Sequence, residues 1–161
     1  MEHLNKSQSC CFTGHRPEKL NITERDAKAL LCDGIQSAID KGYRIFITGM
    51  AKGVDTWAGE MVLEFKNLYP DIKLICALPF PTFAMGVTSK ERSIRQRLLD
   101  NATIVHMSYS AYSPLSFQSR NMWMVDNSSL VIALFTGEAG GTRNTINYAQ
   151  AQGLEIMNLL N

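Results

Sequence analysis

Six short apolar runs punctuate the chain, and between them the apolar positions fall at helical spacing. The runs are SCCFTG (9–14), RIFIT (44–48), KLICAL (73–78), TIVHM (103–107), LVIALF (130–135) and EIMNLL (155–160). Most are continuously apolar rather than alternating, as expected of strands covered on both faces. The first intervening segment predicts a helix after Thr23, whose hydroxyl can cap it with Asp26 three residues on. Leu31, Ile35, Ala38 and Ile39 form its apolar stripe and Lys41-Gly42 supplies the stop. Helical pattern returns at 54–68, 89–101, 117–128 and 142–152, the last ended by Gly153. This alternation predicts an α/β fold: a three-layer Rossmann-like domain with a mostly parallel, doubly wound sheet of about six strands and right-handed crossovers. A chain of 161 residues fits one such domain, with residues 1–8 expected as a loose leader.

In an open sheet of this kind ligands sit at the carboxyl ends of the strands. Three glycine-bearing loops fall at such ends: FTGHRP (12–17), TGMAKGVD (48–55) and TGEAGGTRNT (136–145). Glycine lets backbone approach an anion closely, and the free N–H groups opening a helix carry partial positive charge, so strand–glycine–helix junctions favour phosphate. The third loop has the strongest grammar, with Gly140, Gly141 and Thr142 where a helix begins and a threonine able both to cap it and to bind phosphate. In the second, Gly49 and Gly53 make a tight turn and Asp55 enters the first helical turn. In the first, Thr13 and Gly14 end the strand. Arg16 offers a planar fork suited to phosphate, and His15 can stack, donate or titrate.

Arg120 stands in FQSRNMWMVD among Phe117, Met122, Trp123, Met124 and Val125, so it needs a partner, either a carboxylate such as Asp126 or a bound anion. The helix SKERSIRQRLLDN carries Lys90, Arg92, Arg95 and Arg97, expected as a solvated face. The loop SYSAYSPLS, with Tyr109 and Tyr112, is either a lid or a plain connection.

Composition narrows this picture by exclusion. With 45% apolar and 19% charged residues the chain is neither disordered nor a coiled coil. A net charge of +1 without a Lys/Arg-rich block makes nucleic acid a less favoured partner than a small nucleotide. No apolar run is long enough for a membrane span and the N-terminus has no secretory h-region, so a cytoplasmic location is expected. Cys10, Cys11, Cys32 and Cys76 lack zinc or disulfide spacing, and no metal site or obligatory cofactor is expected. Walker, nucleophile-elbow and catalytic-metal motifs are absent.

In combination and order, FTGHRP, TGMAKGVD, SRNMWMVD and LVIALFTGEAGGTRNTINYA resemble the SLOG superfamily of Rossmann-like proteins, and most closely its YpsA-like branch, over nearly the whole chain. The resemblance implies a nucleotide or nucleotide-derived ligand at the glycine loops, in a sensor or accessory protein. Related members include the LOG phosphoribohydrolases, which release a base from a nucleoside monophosphate, and DprA, which binds single-stranded DNA. Arg120 matches the LOG active-site arginine and Gly141-Thr142 the end of its glycine loop. The LOG glutamate three positions after that threonine is replaced by Thr145, which cannot supply a carboxylate, so LOG-type hydrolysis is not expected. The alternatives are nucleotide cleavage, with Arg120 holding phosphate and Asp55 or Glu138 as acid/base, and DprA-like single-strand binding through Lys52, Arg16 and the basic helix. Related folds commonly dimerise, and the Met/Trp helix is the surface expected to do so.

Overall fold

In the computed structural model, described over residues 4–160, the six apolar runs form one all-parallel sheet. Its strands are β1 (Ser9–Gly14), β2 (Ile45–Thr48), β3 (Lys73–Leu78), β4 (Ile104–Met107), β5 (Leu130–Leu134) and β6 (Glu155–Asn158). The helices are α1 (Glu24–Asp40), α2 (Val54–Leu68), α3 (Ser89–Asp100), α4 (Ser116–Asp126) and α5 (Gly141–Ala151). The strand order is β4-β3-β2-β1-β5-β6. The chain therefore steps outward from β1 to β4, returns through α4, and continues on the other side of β1. At β1 and β5 the crossovers diverge and leave a crevice beyond the strand ends. Thr13 pairs with Ala133 and Gly14 with Leu134, so the first and third glycine loops leave the sheet at the same height.

Continuous apolarity of the strands reflects two cores. Cys10, Phe12, Phe46, Leu74 and Ile132 pack against Leu31 and Ile35 of α1, Val62 of α2 and Leu98 of α3. Cys11, Ile47, Ile75, Ala77 and Val131 meet Met124 and Val125 of α4 and Ile146 and Ala149 of α5. Because successive strand side chains point to opposite faces, Cys10 and Cys11 enter different cores. Burial pushes the Cys11 and Cys76 thiols up to about 12 and also raises Cys10, which keeps all three protonated and inert. Cys32 is exposed on α1.

The expected Thr23 cap is present, with its Oγ1 accepting from the Asp26 N–H at 3.0 Å. A full capping box, Thr88 with Glu91, opens α3. β6 stops short of the expected residue 160 because Asn158 turns its side chain into a substitute ladder partner, donating to the Phe135 carbonyl and accepting from the Phe135 and Leu160 N–H groups. Residues 1–3 of the expected leader lie outside the described residues. Of the remainder, Lys6–Gln8 form a 3-10 turn, and Leu4 packs on the α4/α5 core, so this stretch is tied to the sheet rather than loose.

Gly53 opens α2 at φ +98°, and a Cβ there would stand 2.8 Å from Cδ of Pro17. Here the first two glycine loops touch. Gly53→Ala is expected to destabilise the protein by about 1–3 kcal/mol, measured by chemical denaturation, since it combines a disfavoured φ with a collision.

Candidate functional site

The crevice beyond β1 and β5 has a volume of about 270 Å³ and gathers Thr13, Gly14, His15, Arg16, Asp55, Arg120, Gly140, Gly141 and Thr142 from the expected set. Lys19 and Asn121 also line it, Asn121 from the SRNMWMVD segment although only Arg120 of that segment stood out by its chemistry. Gly49, Gly53 and Glu138 are not among its lining residues. One end of the crevice is the start of α5. Gly140, at φ +140°, is the N-cap and offers no side-chain cap, so Thr142 sits inside the first turn instead of capping it as expected. The N–H groups of Gly140, Gly141 and Thr142 have no acceptor among the described residues. Nothing lies within 4 Å of the Cβ position of Gly140 or Gly141. Backbone donors without a partner at the positive end of a helix dipole thus line the crevice, beside exposed Arg16 and Lys19.

The floor is charged and buried. Arg120, 5% exposed, donates through Nη1 to the Gly49 and Ala77 carbonyls and through Nε to Oδ1 of Asn121 at 2.7 Å. Its partners are therefore backbone oxygens and the nearby Asp55, not Asp126, which is exposed and accepts from the Tyr148 hydroxyl at 2.7 Å. A Cβ at Gly49 would stand 2.8 Å from Arg120 Nη1 and 3.0 Å from Asp55 Oδ2, so only glycine lets guanidinium and carboxylate face each other there. As Gly53 allows the approach of Pro17, Gly49 thus allows this packing. Met50 beside it is fully buried at φ +62°, an unusual conformation for a side-chain-bearing residue. Arg95 Nε holds its carbonyl at 3.0 Å, and the Arg95 guanidinium lies 4.3 Å from the Phe83 ring centre. Lys90, Arg92 and Arg97 are solvated as expected of the basic helix, whereas Arg95 turns inward and locks the second glycine loop.

Burial raises the pKa of Asp55 from 3.8 to about 6, against the opposing pull of Arg120, the Ala51 N–H and Arg95. The folded state therefore binds this proton more tightly than the unfolded chain, and the Asp55 contribution to stability declines as pH rises from about 4 through about 6. The stability of Asp55→Asn relative to wild type is therefore expected to improve as pH rises from 4 to 8 in urea titrations, since only wild type must ionise the buried carboxylate.

His15 is buried, with Nε2 3.0 Å from the Thr136 hydroxyl and its ring 5.5 Å from that of Phe135; burial lowers its pKa, favouring the neutral imidazole. Thr145 bonds back to the Gly141 carbonyl at 2.9 Å and places no charge near the crevice. Of the Met/Trp helix, Met124 and Val125 enter the core and Trp123 stacks on His106 of β4 at 3.8 Å. This leaves Phe117 and Leu115 as the exposed apolar positions at its start. Tyr112 lies edge-on to Phe80, which also meets Phe117 edge-on, so the 108–115 loop is fixed by an aromatic cluster. Among the described residues there is no group of three or more His, Cys, Asp or Glu able to hold a metal, and no helix is long and apolar enough to cross a membrane.

A model of the YspA SLOG family matches residues 10–157. The SPbeta prophage-derived protein YoqJ of Bacillus subtilis is 33% identical over 120 residues, 67% of this chain and 70% of its own length. UPF0398 protein YpsA of the same species is 26% identical over 141 residues, 81% of this chain and 77% of its own. Among solved structures, DNA processing protein A (DprA) of Streptococcus pneumoniae superposes with a TM-score of 0.66 at 16% identity over 94% of this chain. DNA processing protein A of Helicobacter pylori, described for its single-stranded DNA binding mode, gives 0.70 at 18% over 94%. The present chain spans 50% and 65% of those two proteins, and at such identities they establish the shared fold.

Proposed function

The chain belongs to the YspA SLOG family, and from that premise we propose that its crevice binds a nucleotide or nucleotide-derived ligand by its phosphate, in a sensing or accessory role. The observation that carries this reading is the set of unpartnered N–H groups at Gly140, Gly141 and Thr142, three residues that line the crevice between the ends of β1 and β5. Phosphate accepts from these donors, Arg16 and Lys19 add charge from the rim, and Arg120 supplies buried positive potential behind them. Asp55, poised near neutrality, faces a hydroxyl or proton-bearing part of the ligand. The Met/Trp helix is the surface through which a homodimer would form; sedimentation velocity measures whether one does. Calorimetry with nucleoside mono-, di- and cyclic phosphates is expected to give saturable binding for at least one class, and silence across the panel would reject the proposal.

A second reading, cleavage of an N-glycosidic or phosphoester bond, draws support from the raised Asp55 pKa, which suits a general acid or base. Chromatography of nucleotides incubated with the protein tests it, and turnover surviving Asp55→Asn would remove Asp55 from the role. A third, single-strand binding, draws on the exposed Arg16, Lys19, Lys90, Arg92 and Arg97 and on the single-stranded DNA binding of the Helicobacter pylori neighbour. It requires affinity that falls steeply with salt, and no affinity at low salt excludes it.

A further inference from the structure

A second hollow of about 230 Å³ adjoins the crevice in the groove between α4 and α5, and the two share Gly141 and Asn121 in their walls. We propose that this groove is the seat of an uncharged heteroaromatic base, so that the ligand is a nucleoside phosphate lying across Gly141 with its phosphate on one side and its base on the other. The inference rests on the phosphate reading above and adds a base subsite to it.

Three features of the groove select such a group. Its walls are apolar and flat where a ring would stack: Phe117 and Met122 come from α4, and the Tyr148 ring from α5 is fixed because its hydroxyl donates to Asp126 Oδ1 at 2.7 Å. No charged side chain lines it, which disfavours a second phosphate or a carboxylate and suits a neutral ring. With the Thr145 and Tyr148 hydroxyls donated internally, its remaining polar side chains are the carboxamides of Gln118, Asn121 and Asn144, each carrying a donor and an acceptor, the pattern that base edges present. The side chains of Gln118 and Asn144 make no hydrogen bond among the described residues.

The orientation of Asn121 follows from its neighbour. Arg120 has donors only, so the atom that accepts from its Nε at 2.7 Å must be the Asn121 oxygen, and the amide NH₂ is turned away from the guanidinium. The buried arginine that supports the phosphate crevice thereby also sets the donor shared with the groove. Thr145 completes the wall with its hydroxyl already donated to the Gly141 carbonyl, leaving the groove neutral at the position where a carboxylate would otherwise confront the ligand.

The test compares ribose 5-phosphate with the four common ribonucleoside 5′-monophosphates by calorimetry on the intact protein. Stacking and edge contacts predict that at least one monophosphate binds about tenfold or more tightly than ribose 5-phosphate. Asn144→Trp, which fills the groove from an exposed position, and Met122→Lys, which charges it, are each expected to reduce that monophosphate to the ribose 5-phosphate level. Both variants should retain wild-type affinity for ribose 5-phosphate, which also certifies that they are folded. Equal binding of all five probes by wild type, or a base preference that survives both variants, would overturn the base subsite while leaving the phosphate reading standing. Failure of every probe, ribose 5-phosphate included, would also overturn the base subsite, and the wider panel of di- and cyclic phosphates then decides the phosphate reading.

Discussion

Gly141→Asp is expected to weaken nucleotide binding by at least about 100-fold while leaving the protein as stable as wild type or slightly more so. The two effects separate because of where the residue stands. Its backbone lies outside the left-handed region, and an added Cβ meets nothing within 4 Å, so the fold accepts a side chain. An acidic group in the first turn of α5 interacts favourably with the helix dipole, by about 0.3–1 kcal/mol, and loss of a glycine restricts the unfolded chain. The same side chain projects into the space that a phosphate would occupy and competes for the free N–H groups with its own charge. A like charge at about 4 Å near a protein surface costs on the order of 4 kcal/mol, enough for the predicted loss. Calorimetry and a thermal melt on one preparation check both halves. Unchanged affinity would show that α5 does not open on the ligand; a collapsed melt would show that the local geometry has been misjudged.

The second large effect is structural. Arg120→Ala is expected to destabilise the protein by about 3–5 kcal/mol, because it removes the donor to the Gly49 and Ala77 carbonyls and leaves Asp55 without its main opposing charge. The pH dependence identifies the cause. In wild type, Arg120 holds the Asp55 pKa down to about 6 against burial. Without it the folded-state pKa rises further, so ionising Asp55 above that value opposes folding more strongly. The loss relative to wild type should therefore be larger at pH 8 than at pH 5 in urea titrations. A loss independent of pH would mean that packing and carbonyl contacts, rather than the charge pair, hold the loop. Combining Arg120→Ala with Asp55→Asn should recover part of the stability at pH 8, since the uncompensated carboxylate is then absent.

These two residues differ in how far the chain announces them. Gly141 belongs to a local pattern: strand, glycines, helix, all within a dozen positions, so both its place and its chemistry follow from short-range rules. Arg120 is conspicuous because a guanidinium among Phe117, Met122, Trp123 and Met124 demands a partner. The partner itself, a carbonyl 71 residues earlier in the chain, is fixed only when α4 crosses back over the sheet. Asp126, nearer in sequence, lies on the outer side of that helix and bonds Tyr148. Arg95 illustrates the same limit: its spacing with Lys90, Arg92 and Arg97 reads as a solvated face, yet it is the member that turns toward α2 and holds Met50. Gly49 and Gly53 carry the signature of ligand loops, and only the folded chain shows the close approaches they allow, one between Arg120 and Asp55 and one against Pro17.

Taken alone, the order of residues determined the α/β alternation, the parallel sheet, the family resemblance and the three loops, because each depends on periodicity and turn chemistry within a few residues. Tertiary structure decided which loops share a crevice, since that depends on β1 lying between β2 and β5. It also decided which charges are buried together and that the α4/α5 groove continues the crevice through Gly141 and Asn121. Contacts between segments far apart in the chain have no local pattern to betray them; they arise only once burial of the two cores has fixed where the strands and helices lie.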